Sequence, residues 1–174
     1  ICKLYDQASG DLIIDDTKIE GKNLSAMYRN LFSYISQDTF LIESTIINNI
    51  TFESEDKIDQ EKLKYALDFS QLNTFVDSLE NGVETEISSI QKNISSGQRQ
   101  RITIARMIYN SKDILIFDEA TNALDEEMEK KIIDRIIDLK KTKTIIIVSH
   151  NKENLINCDK IYQISKNGII QDTK

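Results

Sequence analysis

The 174-residue chain contains no proline. Nowhere does it carry a G-x-x-x-x-G-K-S/T loop, the usual backbone cradle for nucleotide phosphates. No apolar run approaches the ~20 residues that a bilayer crossing needs, which excludes a membrane span within it. Ile1-Cys2-Lys3-Leu4-Tyr5 is not a charged region leading into an apolar one, so it does not read as a signal peptide. Cysteine is scarce: Cys2 and Cys158 are distant and isolated, so neither a disulfide framework nor a zinc site is implied. A reducing, cytoplasmic setting fits. Positive charge is also in deficit. The net charge of −7 argues against a general nucleic-acid binder, and no nucleic-acid partner is expected. The missing proline, beside plentiful Lys, Ile and Asn, carries no functional information of its own.

What is present suits one domain with a sizeable core. The apolar share is 40% and the charged share 29%, as in soluble globular proteins. Gly10 to Asp15 alternates like a strand, with Asp15-Asp16 turning into Thr17-Lys18-Ile19. Leu24 to Asn30 is a short helix candidate, Phe32 to Ser36 a short strand, and Thr45 to Asn49 one helical turn or two. From Glu53 to Asn110 the apolar spacing is helical. Leu63 to Phe69 and Leu72 to Leu79 form two amphipathic segments, and Asn81-Gly82 is a turn signal. Ser95 caps a helix running to about Tyr109. Ile114 to Phe117 and Ile145 to Val148 are continuous apolar runs of the kind buried parallel strands show. Glu126 to Leu139 between them is helical, with Ile132, Ile133, Ile136 and Ile137 on one face. Ile161 to Ile164 and Ile169-Ile170 flank Asn167-Gly168 as a closing hairpin. The sum is a βαβ core with an inserted helical block.

Two stretches carry the chemistry. Asp118 and Glu119 end an apolar strand, where ligand sites of open α/β sheets lie. Asp118 can reach Mg²⁺, which prefers carboxylate oxygens and retained waters. Glu119 can orient and polarise an attacking water. Ser95-Ser96-Gly97-Gln98 places a hydroxyl, an amide and unpaired N–H groups at a helix start, where a phosphate is favoured. Each also has a plain reading: solvated acids at a strand end, and an ordinary helix cap. His150, the only histidine, follows an apolar strand and could contact a γ-phosphate and its water, or be structural. Gln37 could contact magnesium and water, or merely end a strand. Asp125 reads as the N-cap of the helix from Glu126. Arg99, Arg101 and Arg106 could form a nucleic-acid stripe; anchoring of their helix is the favoured reading. Order and spacing, taken jointly, favour the functional reading.

In that order, Gln37, Ser95 to Gln98, Ile114 to Glu119, Ala123-Leu124-Asp125 and His150 resemble the Q-loop, signature, Walker B, D-loop and switch histidine of an ATP-binding cassette (ABC) transporter ATPase domain. Tyr5-x-x-x-Ser9-Gly10 resembles the stretch after the Walker A helix. Phe40 to Ile50 and Asn81 to Ile87 resemble exporter-type cassettes, usually fused behind six membrane helices. The resemblance covers essentially all of residues 1–174. It implies an α/β fold: a partial RecA-like P-loop NTPase core, an antiparallel β subdomain, and an inserted helical subdomain at about 53–110. It also implies ATP and Mg²⁺ as cofactors. Its partners would be a second such domain, head to tail, and the transporter's transmembrane domains, so that the domain works at the cytoplasmic face of the membrane. The signature, with Asp125 nearby, would cap the nucleotide held by the partner copy. Asp118 would help hold Mg²⁺, Glu119 would be the general base, and His150 and Gln37 would sense the γ-phosphate.

Departures from that pattern carry their own expectations. Gly21-Lys22 is a decoy, because Asp16 stands where the first loop glycine belongs and Asn23 replaces Ser or Thr. The chain therefore reads as a fragment starting just after its main phosphate loop. Ser96 replaces the first signature glycine, adding a Cβ and a donor. Ser88, Ser89, Ile90 and Gln91 replace a loop that in exporters contacts the membrane domains. A non-transport ABC ATPase and a degenerate regulatory module are the alternatives, the second disfavoured by the intact Glu119 and His150. The chain as it stands is expected to bind ATP poorly and not to hydrolyse it. Robust turnover of the isolated chain, abolished by Glu119→Gln, would overturn that expectation.

Overall fold

The computed structural model describes residues 13–14, 16–18, 30–90, 93–165 and 168–172. A small antiparallel pair comes first, β1 (Ile13–Ile14) with β2 (Thr17–Lys18), in the register Ile13 to Lys18 and Ile14 to Thr17. Asp16 turns between them at φ 62°; a short polar side chain tolerates this left-handed conformation better than most. The hairpin expected there is present. The helix candidate at Leu24 and the start of the first strand at Gly10 lie outside the described residues, as do Cys2 and the Gly21-Lys22 pair.

A parallel sheet holds the centre: β3 (Phe32–Ile35), then β4 (Ile114–Asp118), then β5 (Thr144–Val148), in the order β3-β4-β5. Ile35 pairs with Phe117, and Asp118 with Val148, so all three strands end nearly level. The connection from β3 to β4 carries most of the helices. These are α1 (Ile46–Thr51), α2 (Gln60–Phe69), α3 (Asn73–Asp77), α4 (Ile87–Ile90) and α5 (Ser96–Tyr109). Local chemistry explains their starts. Thr45 caps α1, and Asp59 caps α2 by accepting the Glu61 and Lys62 N–H groups, each at 3.1 Å. The connection from β4 to β5 is α6 (Glu126–Asp138), and β6 (Ile161–Ser165) with β7 (Gly168–Asp172) closes an antiparallel hairpin. Helix α4 has no counterpart in the sequence reading; at four residues it is too short for periodicity to reveal.

Helix α5 is the spine of the helical block. It packs against α1, α2 and β3, with Ile102, Ile104 and Ala105 wholly buried. Its basic residues are tethers. Arg101 donates to the Gln71 carbonyl at 2.6 Å, and Arg106 donates to the Asn49 carbonyl at 2.7 Å with its guanidinium 4.8 Å over the Phe52 ring. Burial pulls both guanidinium groups below their usual range. At the far end the Tyr109 hydroxyl donates to Glu53 at 2.6 Å and accepts from the Asp59 N–H at 3.0 Å. Burial, with the Glu53 hydrogen bond behind it, raises that phenol above its usual range.

One expectation is corrected. The run from Ile145 to Val148 is apolar like β4, yet β5 is only partly buried and Val148 is 47% exposed. It forms an edge of the described sheet, whereas β4 is paired on both sides. The core centres on β4, where Leu115 and Phe117 are buried with Ile35, Ile132 and Ile136. Phe117 is 1% exposed, so Phe117→Ala should cost about 3–5 kcal/mol of stability, read from urea unfolding.

Candidate functional site

The level ends of β3, β4 and β5 create one acidic edge. Asp118 is the last residue of β4, and its Oδ2 accepts from the Tyr34 hydroxyl at 2.9 Å. Glu119 follows at φ 51°, a left-handed conformation that costs a side-chain-bearing residue roughly 1–3 kcal/mol. Hydrogen bonds to its backbone hold it there, one of them from the Asn122 N–H at 3.3 Å. Its N–H donates to the Val148 carbonyl at 3.0 Å, and its carbonyl accepts from the Gln100 amide at 3.4 Å. The twist turns the carboxylate toward the end of β5. Oε1 meets His150 Nε2, and Oε2 accepts from Asn122 Nδ2 at 2.8 Å. The carboxylate is 11% exposed and the imidazole 89% exposed.

The remaining candidates sit just after β3 and at the starts of α5 and α6. Gln37 lies two residues beyond β3, at the same sheet edge and exposed. It hydrogen-bonds to neither Asp118 nor Glu119 among the described residues. At the start of α5, Ser95 Oγ accepts from the Gln98 N–H at 3.1 Å, and Gln98 Oε1 accepts from the Ser95 N–H at 2.8 Å. This capping box engages the hydroxyl and the amide within the helix start itself. The Ser96 and Gly97 N–H groups are then first-turn donors with no partner inside the helix. Gly97 permits a close approach, since a Cβ there would lie 3.1 Å from the Ala123 carbonyl. Asp125 caps α6 through the Met128 N–H at 2.9 Å, as expected.

The sequence reading missed four side chains. Tyr34 holds Asp118, and Asn122 holds Glu119. Gln100, 2% exposed, receives the Ala123 N–H at 2.9 Å while donating to Glu119. Glu129 accepts from Thr121 at 2.6 Å and from Asn154 at 2.9 Å. Only Gln100 left a trace in the sequence, as an uncharged polar residue on the apolar side of a helix. Tyr34 and Glu129 act on Asp118 and Asn154 across 84 and 25 positions, which no local pattern encodes, and Asn122, three residues from Glu119, reads locally as an ordinary turn residue.

The ABC transporter family model matches residues 1–122. An ATP-dependent lipid A-core flippase of Vibrio parahaemolyticus is 34% identical over 169 residues, covering 97% of this chain and 29% of that protein. ATP-dependent lipid A-core flippase 1 of Colwellia psychrerythraea is 35% identical over 171 residues, covering 98% and 28% respectively. The chain thus spans under a third of the length of these curated relatives. A bacterial Atm1-family ABC exporter solved with ATP bound superposes with a TM-score of 0.82 at 26% identity, covering 92% of this chain and 28% of that one.

Gln100 joins the start of α5 to both sides of the turn after β4. Gln100→Ala empties the site of a buried side chain and removes both of its hydrogen bonds, and should cost about 0.5–3 kcal/mol in urea unfolding, more than an exposed polar substitution.

Proposed function

The chain belongs to the ABC transporter family, and from that premise we propose that it performs ATP hydrolysis coupled to export. The observation that carries this reading is the contact of Glu119 with His150 beside Asp118, at the level ends of three parallel strands.

In this reading Glu119 is the general base. It is mostly shielded from solvent, its backbone is pinned by Val148, and Asn122 fixes one oxygen. The other oxygen faces the imidazole, so water reaches the carboxylate once His150 turns toward a γ-phosphate. His150 suits that movement because its ring is exposed. The donor set at Asp118 fits Mg²⁺, which binds through one or two carboxylates and otherwise through phosphate and water. Asp118 would hold it, with Gln37 alongside. Bound Mg²⁺ supplies charge neutralisation at the phosphate oxygens. Tyr34 occupies one Asp118 oxygen and so fixes the carboxylate, leaving the other oxygen for the ion it would hold.

The signature residues Ser95 to Gln98 present first-turn N–H groups, suited to the γ-phosphate of a nucleotide held by a second cassette. We read residues 53–110 as the helical subdomain and the rest as core and β subdomain. The wider assembly is a head-to-tail pair of cassettes joined to transmembrane domains, working at the cytoplasmic face of a membrane. No helix among the described residues is long and apolar enough to cross a membrane, so the spans belong to other segments of such an assembly.

Glu119→Gln tests the reading in a membrane protein that carries this segment together with a phosphate loop. Hydrolysis should fall by about 10²–10⁴-fold with ATP binding retained, the range for loss of a general base. Turnover equal to the parent's would remove Glu119 from the chemistry.

A further inference from the structure

His150 presents a physical problem. Its side chain is 89% exposed, so packing does not hold the ring against Glu119. The position of the imidazole must come from the backbone of its own loop. Close to His150, that loop is tied to α6 at Glu129. Asn154 Nδ2 donates to Glu129 Oε1 at 2.9 Å and to Ser149 Oγ at 3.2 Å, and Asn151 Nδ2 reaches Glu129 Oε2 at 3.3 Å. The same Glu129 carboxylate accepts from Thr121 Oγ1 at 2.6 Å, two residues after Glu119.

We propose that Glu129 is a positioning residue: one carboxylate gathers the loop that carries His150 and the turn that carries Glu119, and so sets the imidazole against the base. The chemistry suits that task. Thr121 and Asn154 are buried, and a carboxylate accepts several hydrogen bonds at once, more strongly than a neutral acceptor does. Glu129 stands in the first turn of α6, where the helix end stabilises negative charge without a cation partner. Both loops are thereby referenced to one rigid helix. The role rests on the reading of Glu119 and His150 as the hydrolytic pair.

The single histidine makes the test direct, because its imidazole Cε1–H group gives one NMR cross-peak in the whole chain. The measurement compares wild type, Glu119→Gln, Glu129→Ala and Glu129→Gln at one fixed pH without nucleotide. The wild-type cross-peak should be displaced from that of Glu119→Gln. Glu129→Ala should lose most of that displacement while the amide peaks of β4 and α5 stay in place. Glu129→Gln keeps an acceptor for Thr121 and Asn154 and should retain most of it. The proposal is overturned if folded Glu129→Ala leaves the imidazole at its wild-type position, or if wild type and Glu119→Gln coincide. Should Glu129→Ala not fold, Thr121→Val removes one arm at equal volume. A shift toward the Glu119→Gln position then supports the proposal, and an unmoved peak overturns it. Because no nucleotide enters the measurement, a failure of the hydrolysis assignment in the turnover assay remains separable from a failure here.

Discussion

The structure depends on the in-register ending of three parallel strands. Parallel pairing fixes which residues lie level across the sheet, and here it sets Ile35 beside Phe117 and Asp118 beside Val148. Gln37, Asp118, Glu119 and His150 all lie within two residues of those ends. A one-residue slip of β5 would invert its side chains between the faces and carry His150 away from Glu119. The hydrogen bond from the Glu119 N–H to the Val148 carbonyl extends the alignment one step past β4, into the turn where the carboxylate changes direction.

The helical block is fastened to that edge through a few polar side chains. Gln100 reaches both the Glu119 carbonyl and the Ala123 N–H, and Gly97 lets the start of α5 lie close to the same turn. The start of α5 therefore cannot shift independently of the turn. Ser95 and Gln98 serve the helix and the proposed nucleotide contact together: they close the capping box and leave the intervening N–H groups as donors. A capping motif and a phosphate site are not competing explanations when the ligand is recognised by backbone.

Much of this was legible in the sequence, for identifiable reasons. The strands β4 and β5 announced themselves as short apolar runs, β3 as a short strand ending at Gln37, α5 by its cap at Ser95, and α6 by its spacing of isoleucines. The hairpin at Asp16 showed in its turn residues. Asp118, Glu119 and His150 could be nominated because strand ends are where such sheets place ligands. What stayed hidden has a common cause. Tyr34 and Asp118 are separated by 84 positions, and Asn154 and Glu129 by 25, and such pairings exist only once the sheet is assembled. The partial exposure of β5 was illegible too, because an apolar run reports composition and not how many strands flank it.

The left-handed backbone at Glu119 has a consequence for anyone engineering this protein. Glycine adopts that geometry without penalty, so a selection for thermal tolerance alone would favour deleting the side chain there. Under the proposed role of Glu119, robustness and chemistry pull in opposite directions at a single peptide unit, and a screen blind to function would discard the carboxylate first.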